Sequence, residues 1–154
     1  MPLLEVDGRK IGGSLVIARF LAERFGLAGE GDIQKAEIAA AVDAISDVGT
    51  EIMKVHFEKD EAKKDELKKK FFEKLPEKLG NFEEQIKRNA APGGWLFTQN
   101  VTWCDFLLVL TVEWLVKMAP DALKDFPGVS KLVDNVNNLP NIKKWIEERP
   151  KTAF

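Results

Sequence analysis

The spacing of apolar positions changes sharply along this chain, and the changes mark its elements. Leu3-Leu4-Glu5-Val6 and Arg9-Lys10-Ile11 flank Asp7-Gly8, a dipeptide that accepts the positive φ angles of a tight type I′ turn, so a β-hairpin is predicted. Gly12-Gly13 breaks the second strand. Ser14 is the expected N-cap of a helix over Leu15 to Phe25, with Leu15, Ile17, Ala18 and Leu21 on its apolar face and Gly26 as its stop. From Asp32, the expected cap of the next element, the period is helical throughout. Ile38, Val42, Ile45, Ile52 and Val55 repeat at helical spacing up to about Phe57. Glu58 to Lys74 is charged, with Asp60/Lys64, Asp65/Lys69 and Glu66/Lys70 four residues apart on a solvent face. This helix continues to about Asn89, and Pro76 is expected to kink it. Ala90 to Gly94 reads as a loop. Thr102 and Asp105 form a capping box, with Val101 and Phe106 as a hydrophobic staple. They open a helix from Trp103 to Met118 that is apolar on nearly every side and is expected to be the central buried one. Two shorter helices, Gly128 to Asn138 and Pro140 to Glu148, end at Arg149-Pro150. The fold class is therefore mostly α.

The hairpin is the anomaly in this pattern. Two isolated strands are marginal in water, and Leu3, Leu4 and Val6 make this pair apolar on both faces, as in a strand inside a larger sheet. No later segment reads as a strand. Either helices cover the hairpin, or it pairs with another chain, or the fold begins before Met1.

Composition narrows the partners. The 154 residues carry 45% hydrophobic side chains and a formal charge of -2, which fits one compact domain or a domain plus a fragment. The charge gives no electrostatic reason to expect nucleic acid or an anionic membrane. Phe106 to Val112, among the longest apolar stretches, is far short of the ~20 residues of a membrane helix. The first residues lack the basic start and apolar core of a signal peptide, and Cys104 is the sole cysteine, so a cytoplasmic protein without disulfides is expected. Tyrosine is absent.

Taken in order, three groups of motifs carry a resemblance. Met1-Pro-Leu-Leu-Glu-Val-Asp-Gly8 is followed by Gly13-Ser-Leu-Val-Ile-Ala-Arg-Phe-Leu-Ala-Glu-Arg-Phe-Gly-Leu-Ala-Gly29. Val42-Asp-Ala-Ile-Ser-Asp47 and Thr102-Trp-Cys-Asp105 come next, and the chain ends Ile142-Lys-Lys-Trp-Ile-Glu-Glu-Arg-Pro-Lys-Thr-Ala-Phe154. Over essentially its whole length the chain resembles sigma-class glutathione transferases. The resemblance implies that residues 1–29 are the third strand, fourth strand and third helix of a thioredoxin-like domain. It implies that residues 30–154 are the all-helical C-terminal domain. The βαβ unit that normally opens the family chain, ~30 or more residues, has no counterpart here, so a truncated thioredoxin-like domain is expected. That unit carries the family's catalytic tyrosine, which stabilises the glutathione thiolate. An unperturbed thiol titrates near ~8.5, so some donor is needed at neutral pH. No catalytic residue is assigned among those present.

The resemblance does assign glutathione-binding residues. Pro2 matches the family's cis-proline, and the backbone of Met1 occupies the position that pairs with the cysteinyl part of glutathione. Ser14 matches the serine that binds the γ-glutamyl carboxylate with the first N–H groups of its helix; the plain alternative is that it only caps that helix. Gly13 stands where the family usually has glutamine. Asp47, four residues after Asp43, matches the position that reaches glutathione held by a partner subunit, which implies a homodimer. Ser46 replaces an acid found in metal-binding relatives, so no metal site is expected. Phe154 matches a C-terminal residue lining the substrate pocket.

Other conspicuous residues read more simply. His56, the only histidine, has no acid or cysteine at catalytic spacing and reads as a surface residue. Cys104 reads as a small core side chain, and Trp95, Trp103, Trp114 and Trp145 as packing anchors. Two functions are consistent with this sequence. One is glutathione conjugation to small hydrophobic electrophiles, or endoperoxide isomerisation, by the complete protein. The other is a transferase-derived structural or interaction protein without catalysis.

Overall fold

The structure is a computed structural model and describes residues 1–150. Two strands, β1 (Leu3–Val6) and β2 (Arg9–Gly12), precede α1 (Ser14–Arg24), α2 (Gly31–Phe57), α3 (Glu61–Asn89), α4 (Trp103–Met118), α5 (Pro127–Asn137) and α6 (Pro140–Glu148). The fold is mostly helical with a two-stranded sheet.

The strands pair antiparallel, Leu3 opposite Gly12 and Val6 opposite Arg9. Asp7 and Gly8 turn between them at φ of 51° and 74°, the double positive φ of a type I′ turn. Leu4 and Val6 are half-buried, whereas Leu3 is 59% exposed. The hairpin therefore packs one face only, and α1 is the one described element against it.

Both helix starts fall earlier than expected. Gly13, at φ 95°, is the cap of α1, and Ser14 is already helical with its side chain making no cap bond. Glycine turns the chain straight from β2 into the helix in a conformation that other residues rarely adopt, which leaves Ser14 no capping role. At the other end Gly26 takes φ 71° and the Leu27 N–H reaches the Ala22 carbonyl at 2.8 Å, a Schellman closure. Glu30, not Asp32, caps α2, and the Gln34 side chain accepts its N–H at 2.7 Å. Asp32 lies inside the first turn, where a negative charge suits the helix dipole.

Helix α4 is the centre of the core, packed against α1, α2 and α5, while α3 packs on α2 and α5. The predicted stripe of α2 is buried in full: Ile38, Val42, Ile45, Ile52 and Val55. It meets Leu108, Val112 and Leu115 of α4, and Val129, Leu132 and Val136 of α5, in one cluster. Helix α3 runs without interruption through Pro76. Of its predicted ion pairs only Glu66–Lys70, at 2.6 Å, forms among the described residues. Asp60 instead caps the helix, accepting the Lys63 N–H at 3.1 Å.

Two buried acids fasten loops and helix starts. Asp105 accepts the Thr102 N–H at 2.7 Å, the Thr102 hydroxyl at 2.9 Å and the Leu96 N–H at 2.9 Å. Glu83 of α3 accepts the N–H groups of Gly128 and Val129 at 3.1 and 3.0 Å and so caps α5 from a distance. Trp95 and Trp103 are buried anchors, but Trp145 is 58% exposed, because α6 buries none of its residues. No described helix is long and apolar enough to cross a membrane.

Candidate functional site

Three elements converge on one groove of about 400 Å³. Helix α1 presents its N-terminus there, with Ser14 and Leu15 at the edge. Helix α2 supplies Ser46, Gly49, Thr50 and Met53, residues spaced i, i+3, i+4, i+7 and so on one face. Helix α4 supplies Leu107, Leu110, Thr111 and Trp114 at the same spacing. Gly49 faces Thr111 across the two helices, and a Cβ there would stand in ordinary contact with Thr111 Oγ1 at 3.8 Å. Helix α4, apolar on nearly every side and expected to be the central buried helix, leaves this face open, with Leu110 54% exposed; nothing in the run of apolar residues distinguishes that side from the others.

The polar end of the groove suits an anion. The first i to i−4 bond of α1 runs from the Ile17 N–H to the Gly13 carbonyl at 2.9 Å. The N–H groups of Ser14, Leu15 and Val16 precede it and have no intrahelical acceptor, and the helix dipole points its positive end the same way. The Ser14 hydroxyl is exposed and makes no hydrogen bond among the described residues. The Gly13 N–H, by contrast, is held by the Pro2 carbonyl at 3.3 Å, which ties the start of β1 to the start of α1.

The far end is apolar and aromatic. Trp114 has His56 edge-on at 5.2 Å between ring centres and the Lys117 ammonium 4.7 Å from its own ring centre. His56 is exposed near the end of α2, as expected. A second, apolar hollow of about 230 Å³ shares Leu15, Leu107 and Leu110 with the groove and continues it along α1 toward Phe25.

The remaining sequence-derived residues are not gathered here. Met1 is 99% exposed, and the Met1–Pro2 peptide bond is trans, not the cis form that the resemblance implied. Trans is the ground state of most such bonds. Asp47 and Asp43 are exposed on α2 and do not line the groove, although Ser46 beside Asp47 does. Among the described residues no three of His, Cys, Asp or Glu gather as a metal site. Cys104 is fully buried, and burial, followed by the neighbouring Asp105 charge, pushes its thiol up to about 12. Burial also raises Asp105, against the opposing pull of the Leu96 and Thr102 N–H groups. Phe154 lies outside the described residues.

The family description "Glutathione S-transferase, C-terminal domain" matches residues 46–149. The chain belongs to the glutathione S-transferase family. It is 33% identical to glutathione S-transferase 2 of Manduca sexta, over 100% of this chain and 76% of the relative. It is 35% identical to the hematopoietic prostaglandin D synthase of Gallus gallus, over 100% of this chain and 75% of that protein. Among solved structures, the prostaglandin synthase D of Nilaparvata lugens superposes with a TM-score of 0.88 at 34% identity, covering 99% of this chain and 75% of that one. The fold is thus that of a family whose substrate is glutathione, and the match extends through the hairpin and α1 as well as the helical domain.

Proposed function

We propose that this chain is a sigma-class member of the glutathione S-transferase family that holds glutathione at the start of α1 and a hydrophobic electrophile in the adjoining groove. Residues 1–29 then act as the glutathione-side unit and residues 30–154 as the helical, electrophile-side unit. The observation that carries this reading is the place of Ser14. Its unpaired hydroxyl and the free N–H groups of the first turn open into the same groove as Leu110, Met53 and Trp114. A γ-glutamyl carboxylate binds at such a helix N-terminus, and the apolar wall takes the electrophile. The Met1–Pro2 backbone supplies extended-chain pairing to the cysteinyl part, and Asp47 reaches the glutathione of a second subunit in a homodimer. The cytoplasm is the proposed location.

The reaction is conjugation of glutathione to an electrophile or isomerisation of an endoperoxide; the names of the relatives favour these over a purely structural role. Either reaction needs a thiolate, and the 154 residues include no tyrosine to stabilise one. The residues present account for binding and orientation, and turnover by them alone is expected to be weak or absent. Retention on glutathione-agarose, paired with conjugation of a chromogenic aryl halide, tests this. Retention that S14A diminishes is expected. Failure of the unmodified chain to bind glutathione at all overturns the reading.

A further inference from the structure

A polar hollow of about 430 Å³ lies between the turn that joins α1 to α2 and the segment 97–102 that leads into α4. It shares no residue with the Ser14 groove or with the apolar hollow that continues it. Its volume is that of a small-ligand site, but such sites are mostly apolar, and this one is not. Gln34, Asn89, Thr98, Gln99 and Asn100 bring amides and a hydroxyl to it, and Glu30 is the one ionisable side chain in the lining. Gly26 adds no side chain, and even a Cβ there would meet nothing within 4 Å.

The hydrogen bonds around the hollow leave particular atoms free. Asn89 donates both amide hydrogens, to the Trp95 carbonyl at 2.9 Å and to the Thr98 carbonyl at 2.8 Å. Two carbonyl partners fix which end is nitrogen, so Oδ1 is left over, and it accepts nothing among the described residues. Gln34 is held the other way round. Its Oε1 accepts the Glu30 N–H at 2.7 Å, and its Nε2 remains a donor without a partner among the described residues. The Glu30 carboxylate and the Gln99 and Asn100 amides are exposed, and none of these side chains makes a hydrogen bond or ion pair among the described residues.

We propose that this hollow binds a neutral polyhydroxyl ligand, a monosaccharide or a cyclic polyol. Each hydroxyl both donates and accepts, so neighbouring hydroxyls on one ring can give to Asn89 Oδ1 and Glu30 and take from Gln34 Nε2. Phe97 and Val101, both half-buried in the lining, offer apolar ground to the C–H face of that ring. Other classes fit less well. A hydrophobic molecule would cover the free amide ends and leave them unpaired. An anion meets Glu30 and finds no lysine or arginine in the lining. A cation finds a single exposed carboxylate, which holds it weakly.

Methyl α-glucopyranoside, which has no reducing end to react with lysines, tests the site when titrated into the full chain and followed by backbone amide NMR shifts. The expected result is saturable shifts on residues 26–34 and 97–102, with a Kd on the order of 1 mM. Because no ion contact carries the binding, added salt should leave it unchanged. Putrescine and inorganic phosphate should leave those amides unmoved. E30A/Q99A removes two free side-chain ends without breaking a bond of the fold and should weaken binding about tenfold. E37A, at an exposed acid outside the hollow, should bind like the unmodified chain. Unchanged affinity of E30A/Q99A, saturable binding of putrescine to the same amides, or unsaturating shifts spread over the whole surface would each overturn the proposal.

Discussion

The carboxylate of Asp105 accepts the Leu96 backbone N–H at 2.9 Å while it caps its own helix through Thr102. One fully buried side chain thus fixes the start of α4 and the segment that follows the Ala90–Gly94 loop. D105A strands two backbone donors and a hydroxyl in the interior. Loss of a buried acceptor costs about 1–3 kcal/mol per unsatisfied partner, and the partners relax together, so a total loss of about 3 kcal/mol is expected. Chemical denaturation of D105A beside T102A measures it. T102A keeps both backbone bonds and should lose clearly less.

Glu83 makes the corresponding long-range contact at α5. Alanine there removes the acceptor for the Gly128 and Val129 N–H groups, 45 and 46 residues away, with an expected loss of about 2 kcal/mol. G128A should be destabilising in a related way. A Cβ at Gly128 would lie 2.8 Å from Glu83 Oε2, so the carboxylate must shift off its two donors. Combining E83A with G128A should therefore cost less than the sum of the two, which a double-mutant cycle in urea reads directly.

Cys104 gives a pH prediction. Its thiol is held up to about 12 against an ordinary value of 9.0, so the folded state keeps a proton that the unfolded state releases. Stability on this account is full below about pH 9 and falls as pH rises from there toward about 12. C104A should flatten that alkaline decline. At pH 8 an aromatic disulfide reagent should modify Cys104 only as fast as the chain opens, and rapid native-state labelling would contradict the burial seen here.

Trp114 reports on the groove. It lines the site beside Leu110 and Thr111, under Lys117. A hydrophobic electrophile analogue should change its fluorescence, and L110F, which fills the apolar end without adding a fluorophore, should weaken that response several-fold by occupying the space. The exposed Trp145 contributes signal, so W145F is the background in which to measure. An undiminished response in W145F/L110F would place the electrophile elsewhere.

Much of this fold could be read from local chemistry. Asp7-Gly8 announced its turn, Thr102 and Asp105 their capping box, and the α2 stripe its buried face, because each signal lies within a few residues. The cap assignments slipped at Ser14 and Asp32, where sequence favours a polar side chain but a glycine φ at Gly13 and a reach-back from Gln34 to Glu30 do the work. The contacts of Glu83 with Gly128 and of Asp105 with Leu96 had no local signal, being made by packing. Of the candidate site, the place of Ser14 at the start of α1 was legible, though not as the cap that its residue type suggests. Asp47 and Met1 lie outside the groove, and the wall formed by Met53, Leu110 and Trp114 was hidden inside helices read as core.

The central claim is that the start of α1 binds glutathione without activating its thiol. Titrating glutathione into the chain and into S14A, with calorimetry for affinity and ultraviolet absorbance for thiolate, tests it most directly. The account predicts saturable binding, weakened about tenfold in S14A by loss of one hydrogen bond to a charged group, with the bound thiol titrating near its free value of about 8.5. Equal binding by both proteins, or a bound thiol already ionised at neutral pH, would contradict it.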